Sequence, residues 1–413
     1  MTTSAGLRFR VYWLTSEFFP PEIGGTGVMA ACLSQGLADR GVAIQVITRQ
    51  TRPRCARWEW IGKLRVRRIR PAGRMKGAGW TAFPVMLAYL MRLAIVLILD
   101  ARRYDVVIIS GMKIIPLAAV PICRLLRKKC VIRLESPFEI VEPISAESLG
   151  AMNSVTGQIL GNVLMRMQRA VLSHADCVIT ISKDITNLLT RLKHPPSRIV
   201  SIPNAIDLER FKPVSAGEKQ RLRDKLGFPT AKTIVLFAGR LSRAKGVMML
   251  IEDWPRLILK HPSLFLVVVG SGKGSWDDCE AELVEYVRMH DLKAHVALAG
   301  ESDQVHAYLQ AGDLFVSPSD YEGFGLTIVE ALACAVPVVS TSVGIAREII
   351  RDGSNGFVCP AKNPEALSEA IKRALKLRDQ WPAIGRLARE AVANFDVPQV
   401  IEQYIALCRQ LQE

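Results

Sequence analysis

The stretch Pro318-Ser-Asp-Tyr-Glu-Gly-Phe-Gly-Leu-Thr-Ile-Val-Glu-Ala-Leu-Ala-Cys-Ala-Val-Pro337 carries the clearest pattern in the sequence. The apolar run before it predicts a buried strand that ends near Ser317, and the run from Leu326 predicts a helix. Between them, Gly323 and Gly325 let the backbone approach a ligand closely, and the N–H groups that open the helix attract an anion. The pattern therefore predicts a strand, a ligand-binding turn and a helix.

Two carboxylates flank this turn. Glu322 stands directly before the glycines, and Glu330 follows eight residues later. A carboxylate accepts two hydroxyl hydrogen bonds, which suits a sugar or ribose diol. The alternative for Glu330 is that it only complements the helix dipole in an early turn.

Predicted strands and helices alternate along the whole chain, which indicates α/β domains with parallel sheets covered on both faces. The predicted strands are 9–14, 43–48, 64–69, 106–110, 131–134 and 177–182, then 232–238, 264–270, 295–299, 314–318 and 336–341.

Further candidate ligand loops follow other predicted strands. Arg240 and Lys245 come after the strand at 232–238, and two cations there would grip a diphosphate; surface salt bridges are the alternative. Gly270 and Gly272 follow the next strand, at the same predicted sheet edge. In parallel α/β domains this edge is where ligands bind.

The chain divides into two domains. The strand series restarts after residues 202–213, where Pro203 and Pro213 break regular structure. Residues 1–205 hold 29 Lys/Arg against 12 Asp/Glu, a charge of +17, whereas residues 206–413 hold 25 against 27. The sequence predicts domains at 1–205 and 206–395, followed by an amphipathic C-terminal helix over 396–413. The charge indicates an anionic partner for the first domain only.

Several classes of protein are disfavoured. Nine cysteines without a CxxC pair argue against a disulfide framework and for a cytoplasmic protein. The six histidines show no metal-ligand spacing, and no Walker A, Rossmann-fingerprint or DxD pattern is present. Asp277-Asp278 is interpreted as solvated surface. The apolar window Thr81–Leu99 has Arg92 at its middle, which favours a core helix over a membrane span.

The run Arg52–Lys76 contains ten cations and one acid, Glu59, with Trp58 and Trp60 interleaved. No nucleic-acid-binding module is recognisable, so nucleic acid is not expected as a partner. Two interpretations stay open: contact with an anionic membrane surface, or a solvated loop whose strand exposes alternate arginines.

The sequence resembles the glycosyltransferases of family 4, which have the two-domain GT-B fold. The resemblance covers nearly the whole chain. The residues that carry it are Phe18-Phe-Pro-Pro-Glu-Ile-Gly-Gly25, Ile202-Pro-Asn-Ala-Ile-Asp207, Ala238-Gly-Arg-Leu241, Lys245-Gly246, Glu322-x7-Glu330, Pro337-Val-Val339, Gly344, Glu348 and Asp352-Gly-Ser-Asn-Gly356.

The resemblance implies two Rossmann-like domains whose parallel sheets face a central cleft, with the helix over 396–413 crossing back to complete the first domain. It also implies retaining hexosyl transfer from a nucleotide-diphosphate sugar without a metal or other cofactor. It implies a glycan or lipid-linked acceptor in cell-surface polysaccharide or glycolipid synthesis, with the protein cytoplasmic or peripheral at the inner membrane face. The implied catalytic residues are Arg240, Lys245 and Glu322. The implied donor-binding residues are Gly25, Gly270, Gly272, Phe324, Gly325, Leu326 and Glu330.

Departures from the family pattern limit the resemblance. Where relatives often carry a histidine after the strand at 131–134, this chain has Arg133-Leu-Glu-Ser-Pro-Phe-Glu139. Arg133, Glu135 and Glu139 are therefore acceptor-side candidates, with Glu135 or Glu139 replacing the histidine. Ile345 replaces a usual glycine and is expected to narrow the loop beside the nucleotide. A catalytically inactive homologue acting as a partner subunit and a nucleotide-sugar epimerase remain alternatives.

Overall fold

The computed structural model describes residues 9–16, 18, 25–51, 54–70, 82–112, 114–141, 155–273, 275 and 277–413. The chain folds as two units: unit 1 is Met1–Ala205 with Val397–Glu413, and unit 2 is Ile206–Asp396. The sequence predicts the first boundary after residue 205 and the return at residue 396. The structure divides after Ala205 and returns at Val397.

Unit 1 alternates strands with helices. In chain order its elements are β1 (Arg10–Thr15), α1 (Gly25–Asp39), β2 (Ala43–Arg49), β3 (Trp58–Ile61), β4 (Leu64–Ile69), α2 (Ala82–Leu99), β5 (Val106–Ser110), α3 (Ile115–Leu125), β6 (Lys129–Leu134), α4 (Phe138–Val141), α5 (Val155–His174), β7 (Cys177–Thr180), α6 (Lys183–Arg191) and β8 (Ile199–Ser201). The returning helix of this unit, Val397–Gln410, is named α15 below.

Among the described residues, the unit 1 sheet has eight strands in the order β3-β4-β2-β1-β5-β6-β7-β8, and only the β3–β4 pair is antiparallel. Its central strands are continuous apolar runs such as Val-Val-Ile-Ile in β5, as expected for a parallel sheet buried on both faces. Trp13 in β1 is fully buried and lies opposite Val46 and Ile108 in the neighbouring strands.

Unit 2 continues the alternation. Its elements are α7 (Ala216–Leu226), β9 (Thr233–Ala238), α8 (Val247–Lys260), β10 (Leu264–Val269), α9 (Glu280–Met289), β11 (Val296–Gly300), α10 (Val305–Ala311), β12 (Leu314–Ser317), α11 (Leu326–Ala333), β13 (Val338–Thr341), α12 (Ala346–Ile349), β14 (Phe357–Cys359), α13 (Pro364–Lys376) and α14 (Trp381–Ala391). Short 3-10 turns connect several of them.

The unit 2 sheet has six parallel strands in the order β11-β10-β9-β12-β13-β14. The chain order reverses direction at the central β9. The core forms where α8, with Trp254 fully buried, and α13 pack against this sheet. The carboxyl ends of β9, β10 and β12 therefore lie side by side at one edge.

Two helices that the sequence predicts, α15 and α2, are both present in the structure. The predicted tail helix forms as α15 and packs on α1, where a Cβ on Gly36 would lie 2.7 Å from the side chain of Ile401. The predicted core helix over Thr81–Leu99 forms as α2, but only one face is buried. Within the described residues, none of the helices is long and apolar enough to cross a membrane.

Candidate active site

The candidate site is built from loops that leave the carboxyl ends of β9, β10 and β12. The first loop carries Arg240 and Lys245, the second carries Gly270 and Gly272, and the third carries Glu322 to Gly325. Because these three strands are neighbours in the sheet, the fold brings residues that lie up to 85 positions apart to the same edge. This is the edge at which parallel α/β sheets bind ligands.

The centre of the site is an ion pair between two predicted residues. Lys245 Nζ lies 2.7 Å from Glu322 Oε2, and the two side chains are 30% and 10% exposed. Ser319 Oγ donates a 2.8 Å hydrogen bond to Glu322 Oε1, so both carboxylate oxygens are held. An ammonium group has three donors, so Lys245 can keep Glu322 and still bind an anionic ligand. Ser319 was not singled out from the sequence, although it lies within the quoted stretch.

The turn before α8 places Lys245 by packing tightly against the third loop. Gly246 has φ +70, and a Cβ there would lie 2.0 Å from the carbonyl oxygen of Pro318. Asp277 holds the same turn from the other side, accepting the N–H of Ala244 at 3.0 Å and the hydroxyl of Ser275 at 2.6 Å. Burial raises the pKa of Asp277, but these hydrogen bonds outweigh it and leave that pKa below its ordinary value. Asp277 is therefore partly exposed and also holds the turn, whereas Asp278 is exposed, as the sequence interpretation expects.

Arg240 differs from Lys245 in its surroundings. Its side chain is exposed, immediately after β9. Among the described residues it has no recorded ion pair, so its guanidinium is free to bind an anion at the strand edge.

The N-terminus of α11 presents backbone donors beside the ion pair. Gly325 precedes the helix with φ +99, a conformation that favours glycine. Phe324 is 4% exposed and packs edge-to-face on Phe395 at 6.0 Å between ring centres, so its side chain supports the turn. Leu326 is the first residue of the helix, where backbone N–H groups have no partner within the helix. The ligand-binding role of these N–H groups stays a prediction.

A second close contact fixes this turn. Gly344 has φ +51, and a Cβ there would lie 2.5 Å from Phe324 O and 2.9 Å from Glu322 Cβ. The next residue, Ile345, donates its N–H to Phe324 O at 2.8 Å. Its side chain is only 3% exposed. The expectation that Ile345 narrows the loop is wrong, because the side chain points away from solvent.

Glu330 is the fifth residue of α11, beyond the first turn. This position disfavours the alternative that it complements the helix dipole, since that effect is confined to the first turn. Desolvation raises the pKa of its carboxyl group to about 7, and the charge of Arg210 only partly opposes the effect. In the described residues no hydrogen bond to the Glu330 carboxylate is recorded, which leaves both oxygens available to hydroxyl donors.

The glycines after β10 are explained largely by packing. A Cβ on Gly270 would lie 1.8 Å from Gly239 O, and one on Gly272 would lie 1.7 Å from Asp278 Oδ1. The N–H of Gly272 donates to Glu280 Oε2 at 2.7 Å, and Ser271 Oγ donates to the same oxygen. The Gly272 amide is therefore engaged by a protein carboxylate in this structure, which sequence reasoning missed.

In unit 1, Gly25 is the exposed first residue of α1, and the turn over residues 19–24 lies outside the described residues. Arg133 corrects the sequence prediction: its side chain is fully buried, so an acceptor cannot reach it. It donates to Tyr404 Oη at 2.9 Å and also contacts the Glu135 carboxylate and the Asn204 side chain. It thus joins β6 to α15 and to the segment where the chain leaves unit 1.

Glu139 bridges two strand ends in unit 1. Its Oε2 accepts the N–H of Met112 at 3.2 Å and that of Glu135 at 3.1 Å. Met112 follows β5 and Glu135 follows β6, so Glu139 fixes the two loops at the carboxyl edge of this sheet. Glu135, at 10% side-chain exposure, is neutralised by Arg133.

Comparison with known proteins supports this assignment of the fold. Residues 24–205 match the model of the glycosyl transferase 4-like domain, and residues 218–391 match that of glycosyl transferases group 1. Sucrose-phosphate synthase from Thermosynechococcus elongatus superposes with a TM-score of 0.78 at 24% identity, over 98% of this chain and 99% of that one. The chain therefore has the two-domain GT-B fold.

The chain belongs to the family 4-like glycosyltransferases. It is 26% identical to glycosyltransferase MJ1607 of Methanocaldococcus jannaschii, over 96% of this chain and 94% of that protein. It is 32% identical to the lipopolysaccharide core biosynthesis mannosyltransferase LpsB of Rhizobium meliloti over 49% of this chain. The chain spans 57% of the length of LpsB, less than two thirds.

Proposed function

We propose that the protein is a retaining hexosyltransferase that moves a sugar from a nucleotide-diphosphate sugar to a glycan or lipid-linked acceptor. The observation that carries the proposal is the Lys245–Glu322 ion pair at the start of α11, with the Glu330 carboxyl group on the same helix. At this edge of the sheet, Lys245 then supplies a cation for a diphosphate, Glu322 a carboxylate for sugar hydroxyls and Glu330 a carboxylate for a ribose diol. The name of LpsB supports a hexosyl donor and a cell-surface glycan acceptor.

Each residue has a distinct role in the proposed reaction. Lys245 and Arg240 bind the diphosphate, and Glu322 accepts hydrogen bonds from donor-sugar hydroxyls on lone pairs not used by Ser319 and Lys245. The backbone N–H groups at Gly325 and Leu326 add the partial positive charge of a helix N-terminus. These groups serve a nucleotide sugar as co-substrate, and the proposal includes no metal ion.

The bond that breaks joins the anomeric carbon to the diphosphate oxygen, and the bond that forms joins that carbon to the acceptor oxygen on the same face. The electron pair of the breaking bond leaves with the diphosphate, where Lys245, Arg240 and the helix N-terminus stabilise the charge. The acceptor hydroxyl proton passes to the leaving phosphate oxygen. No protein base is then required.

We also propose that the protein works in the cytoplasm at the inner membrane face, with acceptor contacts from unit 1. The sequence has nine cysteines, an odd number, and no CxxC pair, which suits a reducing compartment. The charge of +17 over residues 1–205 suits an anionic acceptor or surface.

The test compares wild-type protein with Lys245→Ala, using Lys225→Ala on α7 as an exposed control in the same unit. Thermal unfolding is recorded with UDP, GDP and ADP and with their common sugar conjugates. At 100 times its dissociation constant a ligand adds about 2.7 kcal/mol to the unfolding free energy. We expect a shift with one nucleotide that Lys245→Ala loses, and a turnover of the donor reduced about 100-fold or more.

The control variant Lys225→Ala should keep both the nucleotide-induced shift in thermal unfolding and the turnover of the donor. Near-normal turnover of Lys245→Ala would refute the proposed role of the lysine. A wild-type protein that binds none of the nucleotides would favour the inactive homologue instead.

A further inference from the structure

Helix α2 presents an apolar face to solvent. Leu87, Met91, Ile95 and Ile98 recur at helical spacing on one side of it and are 47–57% exposed. Leu99 at its end is 78% exposed, while Leu93 and Leu97 on the other side are fully buried against the unit. Single exposed apolar residues are ordinary, but a continuous face of them marks an interaction surface.

Two neighbouring helices extend this face. α2 packs on α3, and α3 packs on α5. Leu125 at the end of α3 is 77% exposed, and Val163 and Met167 on α5 are 46% and 48% exposed. The three helices cover the same side of the unit 1 sheet, because each connects successive parallel strands with the same hand. We call this surface the α2–α3–α5 face.

The charges on this face all have one sign. The sequences of the three helices contain no Asp or Glu, and their charged side chains are Arg92, Arg124, Arg166 and Arg169. Arg102 and Arg103 follow α2 and are exposed, and Arg103 is paired with Asp100 at 3.0 Å. Two copies of such a face would repel each other, whereas anionic headgroups would complement it.

A cationic pocket lies at the ends of α3 and α5, with a volume of about 460 Å³. Its lining includes five lysine and arginine side chains: Arg124, Arg127, Lys128, Lys129 and Arg198. One carboxylate, Asp176, also lines it and is engaged by the N–H of Cys130 at 2.8 Å. The pocket lies at the amino ends of β6 and β7, at the opposite edge of the sheet from Glu135 and Glu139. Arg124 belongs both to the pocket and to the face.

We propose that the α2–α3–α5 face docks on an anionic lipid bilayer, with α2 in the interfacial plane and a lipid phosphate in the cationic pocket. Exposed apolar side chains bordered by arginines are the composition of interfacial helices, which gain both from apolar burial and from attraction to anionic lipids. Interfacial docking also agrees with α2 burying its other face in the unit.

The basic run that the sequence singled out is a weaker candidate. Arg67 is paired with Asp100 at 2.9 Å, and Arg68 is buried against Glu59. Both Arg65 and Arg67 lie over the ring of Trp58, at 4.4 and 4.8 Å from its centre. Part of that charge is therefore neutralised by contacts within unit 1. Residues 52–53 and 71–76 lie outside the described residues.

The test is flotation of the full chain with vesicles of phosphatidylcholine alone or with 30 mol% phosphatidylglycerol, roughly the anionic content at which such attraction is measurable. The variants are Met91→Gln/Ile95→Gln on the face and Arg124→Gln/Arg127→Gln at the pocket. Leu259→Gln is the matched control, because Leu259 on α8 is 84% exposed but lies in unit 2.

We expect wild-type protein and the control to bind anionic vesicles and not neutral ones. The apolar pair should weaken the partition coefficient about tenfold or more, and each arginine about fivefold. All variants should keep the nucleotide shift of the donor site, which separates this test from that of the proposed function.

Three results would overturn the proposal: equal flotation with both vesicle types, flotation unchanged in both double variants, or no flotation. Sedimentation velocity is run in parallel. A wild-type dimer that Met91→Gln/Ile95→Gln dissociates, without vesicle binding, would assign the face to self-association instead.

Discussion

Replacing Glu330 by glutamine should have opposite effects on stability and on nucleotide binding. Glutamine keeps the size of the side chain and removes its ionisation. Burial raises the pKa of Glu330 to about 7 in the folded protein, against an ordinary value of 4.5. Between these two pH values the folded state holds a proton that the unfolded state has lost. The unfolding free energy therefore falls as the pH rises through this window.

The size of the effect follows from the displacement of the pKa. A pKa raised from 4.5 to about 7 means that ionising Glu330 lowers the unfolding free energy by roughly 3 kcal/mol. The full loss is reached above pH 7, and there is none below pH 4.5, the pKa in the unfolded state. Glu330→Gln should recover up to that amount at pH 8 in the ligand-free protein, raising the melting temperature by several degrees. At pH 5 the gain should be small.

The same change should weaken nucleotide binding. An ionised carboxylate accepts two ribose hydroxyls, whereas the glutamine amide offers one acceptor oxygen, so we expect the dissociation constant to rise about tenfold or more. In the wild type, protonation of Glu330 below pH 7 competes with binding. Affinity should therefore be about tenfold weaker at pH 6 than at pH 8, and this difference should disappear in the variant.

The assays are thermal unfolding at pH 5 and pH 8 and calorimetric titration with the nucleotide identified by the thermal screen. Glu390→Gln on α14 is the control, because that side chain is exposed in the same unit. Unchanged stability at pH 8 together with unchanged affinity would refute the reasoning, because Glu330 would then be neither strained by burial nor in contact with the ribose.

Arg133 and Gly246 give two further predictions of stability. Arg133→Met should lower the unfolding free energy by about 3–5 kcal/mol, because it leaves the buried carboxylate of Glu135 unpaired. Tyr404→Phe removes one hydrogen bond to the guanidinium and should cost about 1–3 kcal/mol. Equal urea midpoints for the two variants would contradict this. Gly246→Ala should destabilise unit 2 and reduce turnover, since its Cβ would meet Pro318 O at 2.0 Å. Gly217→Ala, which meets nothing within 4 Å, should be neutral or slightly stabilising in the same melts.

The strands and the ligand edge were predictable because parallel sheets have a simple sequence signature. Buried strands such as Val106–Ser110 read as continuous apolar runs, and the glycine turns that follow them mark where ligands approach. The helix Val247–Lys260 and the strand Val106–Ser110 have the predicted bounds. Lys245 and Glu322 could be grouped because neighbouring parallel strands deliver their loops to one edge.

The errors share a physical cause. Residue type alone misplaces Arg133 and Ile345, because the burial of each side chain depends on partners distant in sequence. A buried arginine is indistinguishable from a surface arginine until Tyr404 and Asn204, 271 and 71 residues away, are placed around it. In the same way, Gly272 resembles a phosphate-binding glycine until Glu280 is seen on its N–H.

The net charge of unit 1 does not by itself show which part of the surface binds an anionic partner. The basic half predicts an anionic partner but not where it binds, and the densest run, Arg52–Lys76, gives up part of its charge to Glu59, Asp100 and the ring of Trp58. The arginines of α2, α3 and α5 are sparser in sequence, yet these helices contain no acids and stand beside exposed apolar side chains. An anionic surface is attracted by unpaired charge, so the sparser set is the one that predicts the docking face.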